Sequence, residues 1–127
     1  MTEDIVLLPV EDEPLILMRI KSLLEDGGYT VLTAAAGDQA MGLLEQRHEE
    51  ICGLITDIKL GDGPSGWELA HHARELEPRI SIVYMSGDSA SDWPIEGVPK
   101  SVMLQKPFAD AQLLTAISTL LNEVDAN

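Results

Sequence analysis

Five short apolar runs alternate with segments of helical periodicity along the chain, and this alternation constrains the fold more than any other feature. The runs are Ile5–Val10, Tyr29–Ala34, Ile51–Asp57, Ile80–Ser86 and Ser101–Gln105. Short apolar stretches bounded by turn-forming residues read as buried strands. Pro14 suits a first helical turn, and a helix runs from there to Asp26 with Ile16, Ile20, Leu23 and Leu24 inward, until Gly27–Gly28 stop it. A second helix opens at Gly37–Asp38 and ends around His48–Glu50, with Ala40, Leu43 and Leu44 inward. A third runs from about Ser65 to Leu76 with Leu69, Ala70, Ala73 and Leu76 inward, closed by Pro78. The last, about Asp110 to Val124, turns Leu113, Ile117, Leu120 and Leu121 to one side. Between Ser89 and Lys100 stand Trp93, Pro94, Gly97 and Pro99, so any helix there is short or irregular. Strands alternating with helices predict an α/β fold, a doubly wound five-stranded parallel sheet with helices on both faces and right-handed crossovers. The second run is shorter and less apolar, hence nearer an edge. Pro9 is out of place in the first, because proline cannot donate to a ladder and is normally kept out of central strands.

The chain has 127 residues, which is the size of one domain with a proper core, about residues 5–124. Its 8 Lys+Arg against 22 Asp+Glu give a net charge of −14. That balance argues against direct binding to nucleic acid or to an anionic membrane, both of which want a basic footprint. The single Cys52 cannot form an internal disulfide and is expected as a small core residue. No stretch approaches the roughly 20 apolar residues of a membrane span. The acidic start Met1–Thr2–Glu3–Asp4 lacks a signal-peptide pattern, so a cytoplasmic protein is expected. His48, His71 and His72 have no ligand-like partners in the sequence and are expected at the surface.

In a doubly wound sheet the carboxyl ends of the strands converge on one edge, where such folds place their ligands. Glu11 and Asp12 follow the first strand, Asp57 ends the third, Ser86 ends the fourth and Lys106 follows the fifth. Each has a plainer reading alone. Asp57 could cap a turn, Glu11–Asp12–Glu13 could be a solvated helix start, and Ser86–Gly87 and Lys106–Pro107 could be turn residues. Independent surface residues would not choose that edge five times. Carboxylates gathered there repel one another, by roughly 4 kcal/mol for two unit charges about 4 Å apart at an effective dielectric of about 20. A bound divalent cation or a retained proton makes this tolerable. Oxygen ligands and water suit magnesium. A metal alone needs no lysine beside it, so Lys106 points to an anionic second guest. A phosphoryl group fits, with Asp57 as nucleophile forming an acyl phosphate and Ser86 donating a hydrogen bond.

From Ile5 to about Val124 the chain resembles the receiver domain of two-component response regulators. The residues that carry the resemblance are Val10–Glu11–Asp12–Glu13–Pro14, Thr56–Asp57–Ile58, Gly66, Met85–Ser86–Gly87 and Lys106–Pro107–Phe108. The resemblance implies a flavodoxin-like sheet of order 2-1-3-4-5 with five helices. It implies that Asp57 accepts a phosphoryl group from a phosphohistidine on a histidine kinase or histidine phosphotransfer protein. It further implies that Glu11, Asp12, Asp57 and the main-chain carbonyl of Lys59 hold Mg2+, that Ser86 is the switch hydroxyl, and that Lys106 bonds the phosphoryl group. Pro107 follows, often after a cis bond. Receivers usually carry an aromatic residue three positions before the lysine; here that aromatic-switch position is Met103.

The expected role is a stand-alone signalling module acting on an unknown downstream protein, since the chain ends just after the last helix, and a homodimer is compatible with it. The alternative is a small phosphatase with an aspartyl nucleophile. Such enzymes usually carry a second acid two residues after the nucleophile, where this chain has Lys59. A flavin-binding module is disfavoured because no Ser/Thr-rich phosphate loop follows the first strand. Lys59 and Asp88 each lie two residues past a site residue, so they are either an ion pair across the cleft mouth or two independent surface charges.

Overall fold

The computed structural model describes residues 4–126, so the expectation about the amino-terminal Met1–Glu3 lies outside the described residues. Its elements are β1 (Val6–Val10), α1 (Pro14–Asp26), β2 (Thr30–Val31), α2 (Gly37–Arg47), β3 (Ile51–Asp57), α3 (Gly66–Leu76), β4 (Ser81–Ser86), α4 (Trp93–Glu96), β5 (Ser101–Gln105) and α5 (Asp110–Ala126). One turn of 3-10 helix, Ala90–Asp92, leads into α4. The five strands form one sheet in the order β2-β1-β3-β4-β5, every pair parallel. Side chains alternate across it. Leu7, Ile55, Val83 and Met85 pack with Ile20 and Leu24 of α1 and Leu113 and Ile117 of α5. Leu8, Leu54, Ile82 and Tyr84 pack with Ala40 and Leu44 of α2 and Leu69, Ala70 and Ala73 of α3. Burial on both faces is why the strands read as continuous apolar runs instead of alternating patterns.

Pro9 does sit in a strand with neighbours on both sides, and the ladder explains how. In a strand, one residue's N–H and C=O point to the same neighbour. The carbonyls of Ile5, Leu7 and Pro9 accept from Thr30, Leu32 and Ala34 on the β2 side. The donor that Pro9 lacks would also have pointed there, not at β3. β2 is only two residues long and pairs beyond Val31 through a single bridge, Val10 to Ala34. The proline therefore removes one rung toward the edge strand and leaves its own pairing with Ile55 of β3 in place. The longer second strand expected over Tyr29–Ala34 is cut to Thr30–Val31 at this place.

One further expectation is corrected. Cys52 is half-buried, not a core residue: its Sγ lies 3.8 Å from the Glu50 carbonyl oxygen at the start of β3. The β1–β3 register shifts here, Val6 standing opposite Ile51 and Leu7 opposite Gly53, so Cys52 has no partner across the ladder. His71 is exposed, as expected, and His48 and His72 are half-buried. His71 Nε2 lies 2.7 Å from the Glu96 carbonyl oxygen, and His72 Nε2 lies 3.3 Å from Glu45 Oε1.

The Ser89–Lys100 segment is irregular, as its prolines require. α3 and β5 hold it in place: Arg74 donates to the carbonyls of Ile80, Pro99 and Lys100, and Trp93 Nε1 donates to Ser101 Oγ at 2.9 Å.

Candidate functional site

The carboxyl edge of the sheet gathers the predicted residues. Val10 ends β1, so Glu11 turns into the sheet edge and is fully buried, while Asp12 is exposed at the rim. Asp57 ends β3 with its side chain 13% exposed. Its Oδ1 accepts from the Ile58 N–H at 2.9 Å. Lys106 reaches back from the end of β5, placing Nζ 2.8 Å from Glu11 Oε1 and 3.3 Å from Asp57 Oδ2. The peptide bond between Lys106 and Pro107 is cis. Pro107 and Phe108 then form a wall of an apolar groove with Ile16, Ile20 and Leu23 of α1.

The electrostatics follow from this crowding. Burial first, and then the neighbouring Asp57, push the Glu11 carboxyl up to about 7 against the pull of Lys106. Burial would lower the Lys106 pKa, but its bonds to Glu11 and the charge of Asp57 outweigh that and hold it above the ordinary value. One ammonium thus serves two carboxylates while a third, Asp12, stands beside them. Carboxylate oxygens of Glu11, Asp12 and Asp57 all lie within 4.8 Å of one another. Three hard oxygen donors that close, with one group exposed so that waters can complete the shell, fit a magnesium-type cation.

The loop after Asp57 is built to hold that residue still. Gly61 and Gly63 take positive φ, and Ser65 caps α3 through a reciprocal capping box with Glu68. Gly66 opens the helix directly under the Asp57 carbonyl and donates its N–H to the Ile58 carbonyl at 2.8 Å.

Ser86 points its hydroxyl at its own loop. Its Oγ accepts from the Asp88 N–H at 3.2 Å and the Ser89 N–H at 2.7 Å. A Cβ on Gly87 would meet nothing within 4 Å, so the space beside Gly87 is open. Lys59 and Asp88 do form an ion pair, 2.7 Å between Nζ and Oδ2, which ties the loop after β3 to the loop after β4. The pairing raises the Lys59 pKa and lowers that of Asp88.

Met103 is partly buried and stands directly across from Tyr84 in the β4–β5 register. The aromatic ring at this place is therefore on β4, two residues before Ser86 and on the same side of the strand. Tyr84 is fully buried, packs its ring against Trp67 at 4.7 Å between centroids, and accepts the Val98 N–H at 3.0 Å. Sequence reading passed over Tyr84 because a tyrosine inside an apolar run looks like core; its spacing of two from Ser86 was the available signal. Tyr84→Phe is expected to leave the Val98 N–H unpaired and to cost about 1–3 kcal/mol. A thermal melt measures the loss, and hydrogen exchange should place it in residues 89–98. Unchanged exchange there would show that Tyr84 does not anchor the segment.

Comparison with known proteins bears on this geometry. The profile of the response regulator receiver domain matches residues 7–118. The chain belongs to that family. A response regulator receiver protein from Sinorhizobium medicae is 41% identical, with a TM-score of 0.93 over 96% of this chain and 98% of that one. A sensor kinase, CckA of Brucella abortus, is 32% identical over 93% of this chain but only 13% of its own length. The alginate biosynthesis regulator AlgB of Pseudomonas aeruginosa is also 32% identical, over 91% of this chain and 25% of its own length. The chain thus spans a quarter or less of these two longer relatives. Receivers of this family are signalling modules of two-component systems, and the sheet order and five helices are theirs. Among the described residues no helix is long and apolar enough to cross a membrane.

Proposed function

We propose that the chain is the phosphoacceptor module of a two-component phosphorelay, with Asp57 receiving the phosphoryl group from a phosphohistidine of a histidine kinase or histidine phosphotransfer protein. The observation that carries this is the contact of Lys106 Nζ with Asp57 Oδ2, at 3.3 Å, in a cleft whose other walls are carboxylates. In the reaction an Asp57 oxygen forms a bond to phosphorus as the histidine nitrogen–phosphorus bond breaks, and the nitrogen keeps the bonding pair. Lys106 neutralises a phosphoryl oxygen and lets go of Glu11 to do so. Ser86 turns its hydroxyl toward the new group and gives up the Asp88 and Ser89 amides, which frees the loop between β4 and α4. Glu11, Asp12, Asp57 and the main-chain carbonyl of Lys59 would hold Mg2+, which supplies charge neutralisation to the phosphoryl oxygens. Leu15 and Met18 are exposed on α1, and the groove between α1 and Phe108 adjoins Lys106, so apolar surface for a protein donor borders the cleft. Output runs through protein–protein contact. Lys59 is held by Asp88, which leaves no general acid two residues after Asp57 for a phosphatase. Incubation with acetyl phosphate and magnesium should add one hydroxylamine-labile phosphoryl group on the peptide bearing Asp57; labelling elsewhere would overturn the reading.

Magnesium should raise the melting temperature, by an amount that grows with pH. The Glu11 pKa lies above its ordinary value of 4.5. Without a cation, the stability of the protonated cleft is therefore fully present below 4.5 and lost as pH rises toward about 7. A cation must also displace that proton. At a hundredfold excess over its Kd, magnesium adds about 2.7 kcal/mol. Millimolar magnesium should shift the melt clearly at pH 7.5 and much less at pH 5. An equal shift at both would show that Glu11 is not a ligand.

Hydrolysis of the acyl phosphate needs a water in line with the phosphorus–oxygen bond, and the Lys59–Asp88 pair spans the cleft mouth. Lys59→Ala and Asp88→Ala should each speed dephosphorylation, and the double variant should add little more. Additive or unchanged rates would mean that the two charges act apart.

A further inference from the structure

The chain has 8 Lys+Arg among 22 Asp+Glu. Arg19, Lys21, Arg47, Lys59 and Lys106 each pair with a carboxylate. The remaining three, Arg74, Arg79 and Lys100, meet none at ion-pair distance among the described residues. All three line one cavity of about 450 Å3 at the amino-terminal edge of the sheet, the end opposite Asp57. Its apolar walls include Ile80 and Leu120. In a chain so acidic, three cations that make no ion pair among the described residues thus share one hollow.

Ser81 is the second, independent observation. It opens β4, lines the same cavity and is 98% buried by the complement of its 2% exposure, yet its Oγ has no hydrogen-bond partner. A buried hydroxyl left unsatisfied costs about 1–3 kcal/mol. Arg74 spends its guanidinium on three carbonyls and contributes charge rather than a free donor. Arg79 gives one nitrogen to the Val124 carbonyl, which leaves its others available. Lys100 holds φ +57, a left-handed conformation uncommon outside glycine, and Arg74 fixes the backbone there through the Pro99 and Lys100 carbonyls. That conformation fixes the Lys100 backbone at the cavity wall.

We propose that this cavity binds a small organic anion, its carboxylate or phosphate head held by Lys100, Arg79 and the Ser81 hydroxyl and its apolar body against Ile80 and Leu120. The volume lies within the usual range of small-molecule sites, about 300–1,000 Å3. Glu123 also lines it, and Glu49, Glu77 and Asp125 line an adjoining hollow that shares Arg79 and Ser81. A dication or neutral sugar would gain nothing from the three cations, whereas an anion would.

The test uses the full chain, isotope-labelled, without magnesium, titrated with hexyl phosphate, hexanoate, inorganic phosphate and hexan-1-ol. Saturable amide shifts at Arg79, Ser81 and Lys100 are expected with hexyl phosphate or hexanoate, weaker ones with inorganic phosphate and none with the alcohol. Binding by only one of the two amphipathic anions identifies the head group and supports the proposal. Two variants keep the fold in view. Lys100→Gly suits the positive φ and should melt no lower than wild type, while losing about tenfold or more in affinity. Ser81→Ala removes the orphaned hydroxyl, should melt no lower, and should also weaken binding. Equal binding of hexan-1-ol, shifts confined to the Ser86–Lys106 edge, or wild-type affinity in both variants would overturn the proposal.

Discussion

An Asp57→Asn variant is expected to take up no detectable phosphoryl group from acetyl phosphate and to show no response to a beryllofluoride mimic. The side chains have nearly the same shape, so the Ile58 N–H at 2.9 Å keeps an acceptor. What is lost is the negative charge and the nucleophilic oxygen. A carboxylamide oxygen does not form a stable phosphoryl adduct at neutral pH, and the variant has no second carboxylate in the same place. Glu11 is buried behind Lys106, at 2.8 Å, and faces no open space; Asp12 lies at the rim. The fold should survive, because removing one of three clustered acids relieves repulsion, and Lys106 retains Glu11. Intact mass after incubation separates the outcomes, with the melting curve as the control for folding. A mass gain in the variant equal to wild type would sink the assignment of Asp57.

The second large effect is expected at Gly66. A Cβ there would fall on the carbonyl oxygen of Asp57 and come within 2.9 Å of the Ile58 Cα and 3.0 Å of the Asp57 carbonyl carbon. These are backbone atoms, so no side chain can swing aside. Either α3 lifts off its seat or the Asp57 peptide turns. Overpacking of a tight site costs about 1–3 kcal/mol and more where nothing relaxes, so Gly66→Ala should lose about 3 kcal/mol. For a domain of this size that is a fall of about 10 °C in Tm. Because the displaced atoms belong to Asp57 itself, phosphoryl uptake should fall further than stability alone explains when assayed well below the melt. Gly42 is the control: a Cβ on it meets nothing within 4 Å, and in a helix interior alanine is the better residue. Gly42→Ala should melt at or above wild type. A Gly66→Ala protein as stable and as readily phosphorylated as wild type would show that α3 does not brace the acceptor.

Both variants probe a cleft that was legible before any coordinates, and the reason is geometric. Five apolar runs alternating with helices permit little besides a parallel sheet, and a parallel sheet has one edge where strand ends collect their polar residues. That is why Glu11, Asp12, Asp57, Ser86 and Lys106 could be placed together from their positions at strand ends alone. β3 and β5 run to the very residues expected, because turn formers bound them on the sequence itself.

Where the outcome depended on partners far along the chain, sequence was silent. Pro9 is acceptable only because its missing donor faces the two-residue β2, and the direction of an N–H is a property of the ladder, not of the residue. Cys52 missed the core because the β1–β3 register skips it, Val6 standing opposite Ile51 and Leu7 opposite Gly53. Whether Lys59 and Asp88 were partners or strangers depended on a gap of 2.7 Å between two loops. That Tyr84 stands opposite Met103, nineteen positions away on another strand, was set by the β4–β5 register. The three cations around Ser81 come from the end of α3, the approach to β4 and the turn before β5, and no local pattern announces them. Periodicity and turn chemistry determine which elements form and which ends face the same way. Distances between side chains of different elements, and therefore ion pairs, orphaned hydroxyls and cavities, are set only when those elements close on a common core.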